Sequence, residues 1–174
     1  VMTDCCTHAI ELCLRYEQVR ECQFTPYTYL SIPMTMHKLD IEYQYLDHAW
    51  QRWVGEYPFL NTRIWDSARR LEKNMYRPGA MQCVSFGHDK PLHIGRGGAI
   101  LLDDREAYGV LLRQRYDGRD LQCQPWEVQR VFNVGYHYKP TIEEAQSGIE
   151  KLKNHNVNLT HGTYPDLREI TINY

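Results

Sequence analysis

Apolar and polar residues alternate along this chain in short blocks, and the blocks carry two periods. Over 7–20, Ala9, Ile10, Leu12, Cys13 and Tyr16 recur at helical spacing behind Cys6 or Thr7, which predicts a helix from Thr7 to Arg20. Leu39, Ile41, Tyr43 and Tyr45 alternate with polar residues, the pattern of a strand. Brief apolar runs at Thr62–Trp65, Ala80–Phe86 and Ala99–Leu102 predict three more strands, the first ending at Asp66, and Val1 and Met2 open the chain on another. Ala107, Val110 and Leu111 share one face of a predicted helix over 104–116. Thr141 and Glu144 stand in capping-box spacing at the head of a helix over 141–154. Between these blocks, Gln23–Ile32 reads as a short strand or loop broken by Pro33. Ala49–Val54 is an aromatic stretch of no definite type, Tyr116–Phe132 is a long loop, and Leu167–Tyr174 reads as a terminal strand.

Short strands alternating with helices predict an α/β fold, a largely parallel sheet flanked by helices in a single unit over 1–174. The length and the 43% hydrophobic content suffice for a packed core. A formal net charge of −2 leaves no electrostatic footprint for nucleic acid or an anionic membrane. No apolar run is long enough to span a bilayer, and Val1–Cys6 lacks the basic start of a signal peptide. The six cysteines form no Cys-x-x-Cys pair, and His88, His93 and His137 match no common ligand spacing. Reduced thiols, a cytoplasmic location and no metal are therefore expected. The sequon at Asn158-Leu159-Thr160 carries little weight without a secretory context.

The candidate chemistry centres on Lys90, in Ser85-Phe86-Gly87-His88-Asp89-Lys90, followed by the glycine-rich Gly95-Arg96-Gly97-Gly98. Most lysines are solvated surface groups, but glycines on both sides permit close backbone approach to a ligand. Asp66 closes an apolar run. It either caps a turn or stands at a strand's carboxyl end, where open α/β sheets bind ligands. Cys6-Thr7 sits between strand and helix, where a plain N-cap or a phosphate-binding helix N-terminus both fit. A lysine that forms a Schiff base and an aspartate that holds a pyridinium nitrogen are the groups pyridoxal phosphate (PLP) needs most.

Taken in order, these segments resemble the DegT/DnrJ/EryC1/StrS family of PLP-dependent aminotransferases. Val1–Arg15 is similar to the family's strand, Gly-Thr turn and helix, with Cys6-Thr7 in place of Gly-Thr. Phe24–Ser31 resembles its Pro-Ser-Tyr-Thr-Phe segment, Trp65-Asp66-Ser67-Ala68 its Glu-Asp-Ala-Ala, and Ser85-Phe86 with Lys90 its Ser-Phe…Lys signature. Gly95–Asp104 follows the glycine-rich strand after the lysine, and Gly135–Lys139 resembles Gly-Tyr-Asn-Tyr-Arg. Cys6 departs from a glycine, His137 from an asparagine, and Arg69 from a glutamine or histidine.

The resemblance implies a PLP-dependent transferase fold of type I, reduced to its large domain and lacking the C-terminal small domain. It implies that Lys90 forms the internal aldimine and Asp66 holds the ring nitrogen as the catalytic pair. Cys6, Thr7, Ser85 and Tyr29 complete the cofactor site, and His137 reaches the phosphate across a homodimer. The expected activity is transfer of an amino group from a small donor to a keto sugar or related keto compound. Two alternatives stay open: a PLP-fold binding or scaffold protein without turnover, and a PLP enzyme of elimination or nucleoside modification.

Overall fold

The computed structural model describes residues 1–46, 55–154 and 164–173. The Ala49–Val54 stretch, the Asn158 sequon and Tyr174 lie outside the described residues. The elements run β1 (Met2–Thr3), α1 (Cys6–Tyr16), β2 (Glu21–Phe24), α2 (Ser31–Lys38), β3 (Glu42–Tyr45), β4 (Tyr57–Pro58), β5 (Ile64–Asp66), β6 (Met81–Ser85), β7 (Gly98–Leu101), α3 (Arg105–Gln114) and α4 (Ile142–Lys153). Five strands form one sheet in the order β1-β7-β6-β5-β4, and β2 pairs with β3 apart from it.

The main sheet is mixed, not largely parallel. Of its pairings β5–β6 is parallel, while β1–β7, β6–β7 and β4–β5 are antiparallel. The connections explain the difference. A parallel neighbour needs a long crossover, and the chain between Asp66 and Met81 provides one. The chain after β6 turns back within the short connection over 86–97 instead, so β7 returns antiparallel. The β2–β3 pair is parallel, with α2 as its crossover.

Helix α1 is the centre of the core. Ala9, Ile10, Leu12, Cys13 and Leu14 are all buried, so the helix is enclosed rather than amphipathic in the usual half-exposed sense. It packs against β5, β6 and β7, with α2 and α3 beside it. Strand alternation divides the sheet's two faces. Met81, Cys83 and Ile100 face the α1 core. Val84 and Ala99 face a smaller cluster with Met75, Phe86 and Leu92 from the adjoining connections.

Several boundaries differ from the sequence reading. Helix α1 stops at Tyr16 rather than Arg20, because Gln18 adopts a left-handed φ of 52° and turns the chain into β2. Pro33 breaks nothing. It is the third residue of α2, where a missing N–H costs no intrahelical bond. The expected terminal strand is a 3₁₀ turn at Leu167–Glu169, with no strand over the described residues after it. The helices at 105–114 and 142–153 carry their expected caps: Asp104 accepts from the Ala107 N–H, and Thr141 and Glu144 form the reciprocal capping box. Among the described residues no helix is long and apolar enough to cross a membrane.

Two glycine substitutions test the packing. A Cβ on Gly98 would lie 2.6 Å from the Cys5 carbonyl carbon and the Cys6 nitrogen, both backbone atoms, whereas a Cβ on Gly109 meets nothing within 4 Å. Gly98→Ala is expected to lose about 1–3 kcal/mol by overpacking. Gly109→Ala, inside α3, should gain about 0.5–1 kcal/mol. Urea unfolding of both variants checks the contrast, and equal effects would refute this account of α1 against β7.

Candidate active site

The sheet register gathers the candidate residues at one end. Strands β5 and β6 run parallel and finish at Asp66 and Ser85. Ser85 pairs with Gly98, the first residue of β7, and Gly98 pairs with Thr3, the last residue of β1. Helix α1 starts beside them, since Gly98 has no side chain to hold it off. After Ser85 the chain turns tightly, with the Lys90 N–H donating to the Gly87 carbonyl at 3.2 Å. The result is a cavity of about 260 Å³ lined by Cys5, Cys6, Thr7, Tyr29, Ser31, Asp66, Ser85, Lys90 and Tyr164, among others.

One end of this cavity favours negative charge. Cys5 is the N-cap of α1 but makes no side-chain capping bond, and the first turn of α1 contains no acidic residue. Its leading N–H groups therefore have no intrahelical acceptor and form the positive end of the helix. The first residue of α2, Ser31, shares a 2.8 Å hydrogen bond with the Thr7 hydroxyl, so a second helix begins at the same place. The Ser85 hydroxyl also lines the cavity.

The other end holds Asp66. Its carboxylate is buried, 6% exposed as a residue, and accepts from the Ala68 N–H and the Tyr57 hydroxyl, each at 2.8 Å. The Tyr57 hydroxyl is also bonded to Thr28. Burial pushes the Asp66 carboxyl above its usual range, against the pull of those two donors and of the Lys90 and Arg69 charges. Each carboxylate oxygen has a further lone pair available to a protonated ring nitrogen. Lys90 has a side chain only 11% exposed. Its Nζ donates to the Tyr164 hydroxyl at 3.1 Å and pairs with Asp89 Oδ1 at 3.2 Å. The cavity thus carries an amine, a buried carboxylate and an anion-binding end, the donor set that PLP requires.

The cavity brings together Cys6, Thr7, Tyr29, Asp66, Ser85 and Lys90. His137 stands apart. Its side chain is 71% exposed and pairs with Asp117 at 3.1 Å. The segment around it does have work within its own chain: Tyr138 accepts from the Asp4 N–H through its carbonyl, and its ring stacks on His8 at 3.7 Å. Ser31, Tyr57 and Tyr164 belong to the site and were not read from the sequence. Tyr57 reaches Asp66 by strand pairing; no periodicity or motif marks Tyr57 or Tyr164, and Ser31 ends the Phe24–Ser31 segment without an implied role.

His8, in the first turn of α1, is a further charged neighbour. Burial would lower its pKa. The 2.7 Å bond to Asp4 and the adjacent Cys5 outweigh that and raise it to about 9. Asp4 is also held by Arg96 at 2.6 Å.

No family model matches the sequence, and no curated protein matches it either. Solved structures do match in fold. A DegT DnrJ EryC1 StrS aminotransferase from Brucella abortus superposes with a TM-score of 0.70 at 15% identity, over 88% of this chain and 53% of that one. The sugar aminotransferase CalS13 from Micromonospora echinospora gives 0.67 at 15%, over 88% and 55%. A Bacillus subtilis protein solved with bound cofactor PMP gives 0.65 at 16%, over 88% and 43%. The chain has the fold of these aminotransferases and spans about half their length.

The His8–Asp4 pair predicts a pH dependence. The folded pKa of His8 lies above its ordinary value of 6.5. The stability it contributes is therefore complete below about pH 6.5 and is lost as pH rises through about 9. Unfolding midpoints of the wild type should fall between about pH 7 and about pH 10 more than those of His8→Gln. Parallel profiles would refute the pair's role.

Proposed function

We propose that this chain forms the cofactor-binding core of a PLP-dependent aminotransferase that passes an amino group from a small donor to a keto sugar or related keto compound. The observation that carries the reading is the convergence of Lys90, Asp66 and the start of α1 on one cavity. The fold shared with sugar aminotransferases supports it.

When bound, PLP supplies an electron sink for the carbanion formed at the donor's Cα. The remaining work falls to the chain. Lys90 would hold the cofactor, and its Nζ would take the Cα proton from the donor and deliver a proton to the acceptor's former carbonyl carbon. Asp66 keeps the ring nitrogen protonated, a task suited to a buried carboxylate whose proton affinity burial has raised. The leading N–H groups of Cys6 and Thr7, with the Thr7 and Ser85 hydroxyls, hold the phosphate. Tyr29, 57% exposed at the rim, packs on the ring. His137 lies outside its own subunit's cavity, so a role at the phosphate requires a second copy of the chain, and a homodimer is part of the proposal. All six cysteines are free thiols, which favours a reducing compartment such as the cytoplasm.

The test is PLP titration followed by borohydride reduction and peptide mapping. Wild type should carry a phosphopyridoxyl group on Lys90, and Lys90→Ala should carry none. Asp66→Asn should keep the adduct but slow the half-reaction with an amino donor by about a hundredfold or more. An adduct with no half-reaction on any donor would instead favour a binding or scaffold protein. No adduct at Lys90 would refute the assignment.

A further inference from the structure

Tyr164 reaches the cavity from far along the chain and makes two contacts there. Its hydroxyl accepts from Lys90 Nζ at 3.1 Å. Its ring lies 6.0 Å from that of Tyr29, tilted by 49°. Under the proposed function, these are the two neighbours of the cofactor's reactive end: the amine it joins and the aromatic it packs on. A planar ring in contact with Tyr29 on one face and Tyr164 on the other needs about 7 Å between the flanking rings, two contacts of about 3.5 Å. The observed separation is smaller, and the tilt narrows it further on one side.

We infer that Tyr164 is a built-in occupant of the cofactor's ring position, and that PLP reaches Lys90 by displacing it. The inference rests on the proposed function.

The surroundings show what holds the tyrosine in and what lets it leave. The Arg69 guanidinium lies 4.7 Å from the centre of its ring, a cation–π contact. Arg69 also binds Asp89 at 2.7 Å, and Asp89 is the other partner of Lys90. Lys90, Tyr164, Arg69 and Asp89 thus form a closed set around the amine. Displacing Tyr164 removes one acceptor from Lys90 and leaves Asp89 in place. The segment behind Tyr164 is anchored separately. Leu167 is buried, and its N–H donates to the Pro26 carbonyl at 3.1 Å, on the loop that carries Tyr29. The ring can therefore swing out of the cavity while its segment remains attached.

An internal occupant weakens ligand binding by the fraction of molecules in which the place is filled. The test compares wild type, Tyr164→Phe and Tyr164→Ala by PLP titration. It also follows the rate at which trinitrobenzenesulfonate labels Lys90, mapped by mass spectrometry. Tyr164→Phe keeps the ring and loses the bond to Lys90, and should bind PLP about threefold more tightly. Tyr164→Ala loses the contacts with Lys90, Tyr29 and Arg69 and should gain about tenfold. Lys90 should label faster in the same order. Because Tyr164→Phe is nearly isosteric, it guards against a change of fold. Equal affinities, or weaker binding in both variants, overturn the inference while leaving the proposed function standing. No adduct on Lys90 in any of the three proteins overturns the proposed function and the inference with it.

Discussion

The contact on which the site depends is the close approach of the start of α1 to β7. It places the N–H groups of a buried helix against the end of a sheet, where four strand termini already meet. Gly98 makes it possible, because its missing Cβ would otherwise stand 2.6 Å from the backbone of Cys5 and Cys6. Without that approach the start of α1 would lie farther from Asp66 and Lys90, and the three would not line one cavity. The glycine at this position serves neither a turn nor a positive φ. It serves proximity, and the enclosure of α1 by Ala9, Ile10, Leu12, Cys13 and Leu14 fixes the helix once it is there.

Electrostatics then divides the cavity. Two helix starts and several hydroxyls form the end that favours negative charge, while a buried carboxylate occupies the other. Asp66 in isolation would be driven to its neutral form by burial. The Ala68 N–H, the Tyr57 hydroxyl and the nearby cations oppose that drive, and burial still dominates. A carboxylate under this tension gains from a cationic partner such as a protonated ring nitrogen. The stability given up by burying it is recovered when the partner binds, which couples occupancy of the site to the order of its surroundings.

Much of this arrangement was legible in the sequence, and the exceptions have physical causes. Lys90, Asp66, Ser85, Thr7 and Cys6 carry local signatures: strand ends, a helix start and glycines beside a lysine; Tyr29 is marked by the family resemblance alone. Their gathering in one cavity follows from register, which short strands with clear apolar cores specify well. Strand direction is not legible in an apolar run, which has no polarity, and the return of β7 rests on the short connection over 86–97. Tyr57 and Tyr164 escaped notice because their roles come from long-range pairing. Pro33 misled because a proline reads as a stop unless the helix start just before it is known. His137 carries a family-like motif, but its contacts in this chain run to Asp117.

Glu11 shows how the same helix fixes the rest of the frame. Its carboxylate is almost wholly buried in the middle of α1, where an unpaired charge would be costly. Burial would raise its pKa, but Lys38 at 2.9 Å and Arg15 at 2.9 Å hold it low. The Tyr138 hydroxyl donates to it at 3.1 Å. Those donors come from α2, from α1 itself and from the Gly135–Lys139 segment. One buried carboxylate therefore ties together the helix whose start lines the cavity, the helix that contributes Ser31, and the segment whose Tyr138 stacks on His8. Apolar packing holds α1 against the sheet, but it is non-directional and does not choose these polar partners. A charged acceptor with three fixed donors adds that direction, and the Thr7–Ser31 bond joins the same two helices at their starts.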